Sequence, residues 1–518
     1  MASSSVSSCS RDAATGPVDR ADTDQHVVME ATPSVRHRDL ALRAALIAAA
    51  LTMLVAAFGV AARSTYGAQT SSDEPQYLLT ALSLAEDFDL DIGDELDRRA
   101  FEPFHEIDLD TQTVNLTESG QRLSPHDPLL ALVAAPAMWI GGWVGVRILL
   151  VVIGGLVAGL TTWTAIRRFG VPPSAATIAV GSMMVGAPVA AYSTQVFPEI
   201  VAALCAVVVV ASGTAQPLGR RHVAAVTLAT AALPWLSIKY VPVAAAAVAV
   251  LGWAWWRAGH RRAVAAAGAV LAVAAVVYLV THQRIYGGWT VYAAGDHFVD
   301  DGEFAVIGTE PNYWGRSRRV VGLLADRRYG LIPWAPVWLL APAALTWFVA
   351  RRTPHRWLVA APVAAGWCTA TFVALTMHGW WSPGRQIVVI VPFMAIALAV
   401  FVRDVPRARW PVGLLGLAGA SNWVWLGIEA TTGRRVLIVD FYETAAPVFR
   451  VLSPFFAQGW PRTDTADAVL AVWAVAIVAS MLAAMVMATR RTHPPRPQLE
   501  DSPYDSTAES TERASMSS

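Results

Sequence analysis

Residues 44–62 read AALIAAALTMLVAAFGVAA, nineteen residues without a charge, preceded by Arg36, Arg38 and Arg43 and closed by Arg63. An uncharged apolar run of this length matches the hydrocarbon thickness of a bilayer. Lipid offers no partner for backbone N–H and C=O groups, so the run is expected as a helix. Outward from it the pattern recurs. Further spans are expected near 143–165, 173–191, 197–214, 223–237, 241–256, 263–282, 330–350, 357–377, 386–402, 411–428 and 466–489. The fold class is therefore an all-α polytopic membrane protein of about twelve spans, eleven or thirteen if segments such as Pro234 to Pro242 are divided differently.

Composition agrees. The chain has 518 residues, 55% hydrophobic and 15% charged, with mean hydropathy +0.44; a soluble protein usually carries about 25% charged residues. Formal net charge is zero, and no nucleic-acid partner is expected. Cys9, Cys205 and Cys368 lie far apart and show no metal-ligand spacing, so a disulfide framework is not expected and the two in apolar segments read as buried helix residues. The start of the chain lacks the basic-then-apolar order of a cleaved signal. Residues 1–38 and 490–518 are polar tails expected to be disordered on the cytoplasmic side, flanking a membrane domain at 39–489.

Charge segregation gives an orientation. With the first tail inside, Arg167–Arg168, Arg220–Arg221, Arg257–Arg262, Arg351–Arg356, Arg403–Arg409 and Arg490–Arg491 fall on that same side. This is the positive-inside pattern, and it puts both termini in the cytoplasm of a plasma-membrane protein. The opposite face receives loops near 63–142, 283–329 and 429–465. Residues 63–127 hold fifteen acidic side chains and four arginines. Within them, Ser72-Asp73-Glu74-Pro75 opens an expected helix running to about Ala85, with Ser72 as its cap. Leu78, Leu82 and Ala85 repeat at helical spacing, as in a helix lying at the membrane surface. The apolar stretch 128–142, with Pro136 inside it and Gly141–Gly142 at its end, reads as a re-entrant segment before the next span. No internal repeat is evident.

Several polar groups sit at the ends of these spans on the loop side. Asp73 and Glu74 begin a helix, where the dipole favours ionised carboxylates; they read either as an exposed capping pair or as a general base for a hydroxyl acceptor. Lys239, the chain's sole lysine, and Tyr240 lie between two spans, placed either to snorkel toward headgroups or to hold a phosphate. Arg385 closes His378-Gly379-Trp380-Trp381-Ser382-Pro383-Gly384-Arg385 and runs against the inside bias of the other arginines. Trp380 and Trp381 read as membrane-interface anchors or as a stacking surface for sugar. His126 and Asp127, in Ser124-Pro125-His126-Asp127-Pro128, and Glu199, in Phe197-Pro198-Glu199, complete the set. An intramembrane acid such as Glu199 calls for a cationic partner. His105-Glu106 does not specify a metal site, and the Asn115-Leu116-Thr117 sequon carries little weight by itself.

Taken in order along residues 44–405, these segments resemble the GT-C superfamily of multispanning glycosyltransferases. The pattern is nearest to protein O-mannosyltransferases and the lipid A aminoarabinose transferase. It rests on Asp73-Glu74 with Tyr77, Ser124 to Pro128, Phe197-Pro198-Glu199, Leu233 to Tyr240, Ala325 to Pro336, and Gly379 to Arg385. The resemblance implies a polyprenyl-phosphate-linked sugar donor and a cell-envelope glycan, lipid or protein acceptor on the outer face. It casts Asp73, with Glu74 second, as the catalytic base. Lys239, Tyr240 and Arg385 then contact the donor phosphate, and Tyr77, His126, Asp127, Glu199, His378, Trp380 and Trp381 line the acceptor side or cavity. A divalent cation serves some members, but no coordination set stands out here. The chain departs from the pattern in the proline after its acidic pair and in lacking a large soluble carboxyl-terminal domain. Membrane lipids are expected partners as well, and the sequence identifies no particular protein partner. Two other classes compete: a transporter or flippase for a lipid-linked glycan, and a noncatalytic membrane assembly protein.

Overall fold

A computed structural model describes residues 35–115, 120–290, 312–374, 377–459 and 463–490. Both polar tails and Leu116-Thr117 of the sequon lie largely or wholly outside the described residues. The chain divides into Met1–Asp39, described only for its helical residues 35–39, and Leu40–Ser518. The second unit is a bundle of helices with one two-stranded antiparallel hairpin, Val114–Asn115 against Arg122–Leu123.

Seven described helices are long and apolar enough to cross a membrane: Asp39–Gly59, Leu129–Phe169, Ile238–Arg257, Arg261–Tyr286, Arg385–Asp404, Pro406–Thr431 and Asp464–Arg490. This falls short of the expected twelve. Helices occur at the other five positions, but they are short: Pro173–Met184, Glu199–Gly213, Arg220–Leu236, Ala341–Ala350 and Arg356–Cys368. Proline and glycine punctuate them. The chain breaks at Gly186-Ala187-Pro188 before Val189–Tyr192, and again ahead of Glu199 at Pro198. Pro234 and Pro242 belong to separate helices, with a 3-10 turn at Ile238–Tyr240 between them.

Val391–Val400 is buried residue by residue and forms the centre of the bundle. Arg261–Tyr286 and Asp464–Arg490 are largely exposed through apolar faces, including Val270, Val273, Val276, Val472, Val475 and Leu482, as suits contact with lipid. Neither described cysteine is fully buried, contrary to expectation. Cys205 is half-buried, and Cys368 is exposed at the end of its helix, where the chain passes into a wider π turn at Thr369–Val373.

The helix expected from Ser72 runs from Glu74 to Glu86. Asp73 is its N-cap, and Ser72 takes a left-handed backbone (φ 52°) instead of capping. Nor is the helix amphipathic at a surface. Gln76 and Thr80, which lie off the Leu78–Leu82–Ala85 stripe, are buried with Leu78 and Leu79. Segments of the acidic loop cover that side, Gln76 donating to the Asp110 carbonyl at 3.3 Å. The 128–142 stretch is helical from Leu129, and Pro136 does not interrupt it. The chain swivels at Gly141–Gly142, where Gly142 adopts φ 58°, ψ −155°, a conformation open to glycine alone.

Candidate functional site

Five helix starts converge, each carrying one of the polar groups noted above. They are Asp73 before Glu74–Glu86, His126 and Asp127 before Leu129–Phe169, and Glu199 opening Glu199–Gly213. The other two are Lys239 in the 3-10 turn leading to Val241–Arg257, and Arg385 in the turn leading to Val391–Asp404. Helix starts present unsatisfied N–H groups and the positive end of the dipole, a setting suited to carboxylates and other anions.

The side chains join into one ionic chain. Arg385 donates through Nη2 to Asp73 Oδ2 at 2.8 Å and through Nε to Glu199 Oε1 at 3.0 Å. Lys239 Nζ donates to that same Oε1 at 2.7 Å. Glu199 is fully buried, and its Oε2 accepts no hydrogen bond among the described residues. His126 Nε2 stands 3.7 Å from Asp73 Oδ2, while its Nδ1 meets Ser124 Oγ at 2.9 Å. Aromatic faces enclose the cations. The Arg385 guanidinium lies 4.1 Å from the Phe197 ring centre and 4.9 Å from that of Trp381, and Lys239 Nζ lies 5.2 Å from the Tyr240 ring centre. The Tyr77 ring packs on His126 at 4.7 Å. Burial pushes the Asp73 carboxyl up, but Arg385 and His126 outweigh it and hold the group far below the usual carboxylate range.

Glu74, next to Asp73, has another set of partners. Its Oε1 accepts from Ser64 Oγ, Ser71 N and Ser71 Oγ at 3.2–3.3 Å, and its Oε2 from Val196 N at 2.9 Å. Burial pushes this carboxyl up, with the Arg147 charge and the hydrogen bonds acting against it. The group ties the loop to the turn before Glu199. Asp127 is similarly occupied: Oδ1 accepts from Tyr278 OH and His282 Nε2, both at 2.9 Å, and Oδ2 from Ile238 N at 3.3 Å. His378 Nε2 lies 3.5 Å from Asp326 Oδ2. The Trp380 side chain is exposed, whereas its carbonyl accepts from Ser71 Oγ at 3.3 Å.

The 379–385 turn is held carbonyl by carbonyl. Tyr329 OH donates to Gly379 O at 2.7 Å and Tyr192 OH to Ser382 O at 2.6 Å. Gly384 sits at φ 81°, and a Cβ there would lie 2.6 Å from Leu331 Cδ2, so glycine sets the direction in which Arg385 leaves the turn.

The sequence reading missed two groups. Arg147 is fully buried on Leu129–Phe169 and donates to the carbonyls of Val60, at 2.8 Å, Ala62, at 3.1 Å, and Gln69, clamping the start of the acidic loop. Tyr278, His282 and Tyr286 form an i, i+4, i+8 stripe that receives the 124–128 segment, Tyr286 OH donating to His126 O at 3.1 Å. That stripe, in an otherwise apolar helix, was the available signal.

A divalent cation is poorly served by this site. Asp73 and Glu199 are neutralised by Arg385 and Lys239, and a metal would have to displace both cations to reach two carboxylates.

No family model matches the chain, and no curated protein matches it. By fold it is similar to crystal structures of ArnT from Cupriavidus metallidurans. The form bound to undecaprenyl phosphate is 14% identical at TM-score 0.48, covering 86% of this chain and 76% of that one. The apo form is 15% identical at TM-score 0.45, covering 84% and 76%.

Proposed function

We propose that the chain is a membrane glycosyltransferase that moves a sugar from a polyprenyl-phosphate donor to a hydroxyl of a cell-envelope glycan, lipid or protein, with inversion. The observation that carries this reading is the ionic chain Asp73–Arg385–Glu199–Lys239 at converging helix starts. It puts a carboxylate held in its ionised form 2.8 Å from a cation able to take two phosphate oxygens. In the reaction, the acceptor oxygen attacks the anomeric carbon and passes its proton to Asp73. The bond from that carbon to the phosphate oxygen breaks, and its electron pair leaves with the polyprenyl phosphate. Arg385 and Lys239 offset the charge that grows on the leaving oxygens.

The resting pairing also orders the steps. Donor phosphate competes with Asp73 for Arg385, so donor binding releases the carboxylate and raises its basicity just when a proton has to be taken. Glu74 fixes the loop that carries Asp73, and Asp127 anchors the segment bearing His126. On the positive-inside pattern the site and the acidic loop face outward and both termini lie inside.

A flippase would call for a polar track through the bundle. Below Arg385 and Glu199, however, the helices continue as Val391–Val400 and Ile200–Val210 with apolar buried faces, which favours transfer. Reconstituted protein, labelled polyprenyl-phosphate sugars and a panel of acceptors test the proposal. Asp73→Asn should lower transfer by about 10²–10⁴ at matched folded amounts. Full transfer by D73N would remove Asp73 as base, and movement of intact lipid-linked glycan without bond transfer would reject the enzyme class.

A further inference from the structure

Helix Arg261–Tyr286 meets lipid along most of its length, yet its end carries a buried polar stripe. Tyr278, His282 and Tyr286 are buried there, and no part of His282 is exposed. Tyr278 stacks on the imidazole with ring centres 3.8 Å apart, and Trp235 and Tyr286 stand at 5.3 Å. Sealed in this way, the ring has to find its hydrogen-bond partners within the protein.

Both ring nitrogens face oxygens that only accept. Nδ1 lies 2.9 Å from the Tyr278 carbonyl, one turn back in the same helix, and Nε2 lies 2.9 Å from Asp127 Oδ1. A neutral imidazole carries one N–H and one lone pair, so at one of these contacts it would set lone pair against lone pair. The imidazolium donates at both. Moving the proton onto Asp127 is disfavoured, because that carboxylate already accepts from Tyr278 OH at 2.9 Å and from Ile238 N at 3.3 Å. The pair is closed electrically as well. Among the described residues Asp127 is the charged group in contact with the ring, while Lys239 is committed to Glu199. Without such a partner a buried imidazolium would be costly.

We propose that His282 is a positioning residue, held as an imidazolium, whose pair with Asp127 aligns Lys239 for the donor phosphate. The connections are short. Asp127 Oδ2 takes the N–H of Ile238, the residue before Lys239 in the turn Ile238–Tyr240, and Tyr286 OH holds the His126 carbonyl at 3.1 Å. One helix end therefore grips both the segment beside Asp73 and the turn beside Glu199. His282 acts through Asp127, keeping that carboxylate charged and fixed. As pH rises, loss of the proton removes one of the two donor contacts and the counter-charge of Asp127 together, and the turn loosens. The role toward a phosphate rests on the transferase reading, whereas the charge of His282 does not.

The first arm of the test is solid-state ¹⁵N NMR of histidine-labelled full chain in nanodiscs. His126 and His378 also adjoin an aspartate and a tyrosine, so an H126Q/H378Q variant isolates the His282 signal with residue 282 intact. That ring should show two protonated nitrogens at about pH 7, and adding Asp127→Asn should return it to the neutral form. A ring with one bare nitrogen before D127N is added would overturn the assignment, whether or not the protein transfers sugar. The second arm is transfer kinetics. His282→Gln should raise the donor KM at least about tenfold while kcat changes less than about threefold, because Asp73 and Arg385 keep their places. Adding Asp127→Asn, which sets two neutral amides together, should recover part of that rise. Should H282Q fail to fold, Tyr278→Phe removes only the hydroxyl on Asp127 Oδ1 and should raise the donor KM about two- to fivefold. An unchanged donor KM in either folded variant would overturn the positioning role. Absence of transfer by wild type would instead reject the transferase reading and the phosphate role with it, leaving the imidazolium to the first arm.

Discussion

The two ends of the Glu74–Glu86 helix hold the same chemical groups in opposite surroundings. At its start, Asp73 joins Arg385, Glu199 and Lys239 in a chain closed off by Phe197, Trp381 and Tyr240. At its far end, Arg98 and Glu86 pair with nearly half of each side chain exposed. Water has already solvated the second pair, so the contact adds little. In the first cluster each charge depends on its neighbours, because burial makes an unpartnered ion expensive. Distance alone does not separate the two regions; access of water does.

The sharpest way to break the contrast is Glu199→Gln, which leaves Lys239 and Arg385 sharing a neutral amide. Stability should drop by roughly 3–5 kcal/mol in denaturant titrations, and adding Lys239→Met should restore part of it. Asp127→Asn comes next. It removes the charge facing His282 and Tyr278 while keeping the shape, for an expected loss of about 1–3 kcal/mol. A drop as large as that of E199Q would mean that the Asp127 anchor is itself an ion pair of comparable weight. Gly384→Ala introduces a left-handed non-glycine residue and a clash with Leu331, at a cost of about 1–3 kcal/mol, and should depress donor affinity through Arg385. At the exposed end, Glu86→Gln should change stability by less than about 1 kcal/mol.

A pH profile sharpens the comparison further. The Asp73 carboxyl is lowered in the folded protein, so its stabilising contribution is complete at neutral pH and is lost only as pH falls through that depressed value. The kcat/KM profile for the free enzyme should therefore show no acid limb from Asp73 between pH 8 and 5. An Asp73-dependent limb near pH 6 would show that the pairing with Arg385 does not hold in solution.

Much of the cluster was legible because each member stands at a helix start, where apolar runs give way to Asp73, Glu199, Lys239 or Arg385. Their union was not legible, since it depends on helices far apart in the chain. Local pattern also misjudged the Glu74–Glu86 helix. Its polar face reads as solvent-exposed, yet Gln76 and Thr80 are both buried, Gln76 donating to the Asp110 carbonyl. It could not separate Asp73 from Glu74 either, because one backbone step sends the two carboxylates to different partners. Seven of the twelve expected spans are long enough to cross among the described residues, and the other five are shorter helices. Hydropathy does not register the breaks at Gly186-Ala187-Pro188 and Pro198, which divide apolar sequence into pieces shorter than a bilayer.

The charge of the first loop bears on how a donor reaches the site. Residues 63–127 hold eleven more acidic than basic side chains, and the cluster beneath pairs two carboxylates with two cations. An anion diffusing in from water meets a repulsive field and no compensating long-range attraction. The proposed donor, a phosphate tethered to a lipid tail, would bypass that barrier by arriving from the bilayer. On the proposed reading the loop would act as an electrostatic filter on the route of arrival, disfavouring water-borne sugar nucleotides.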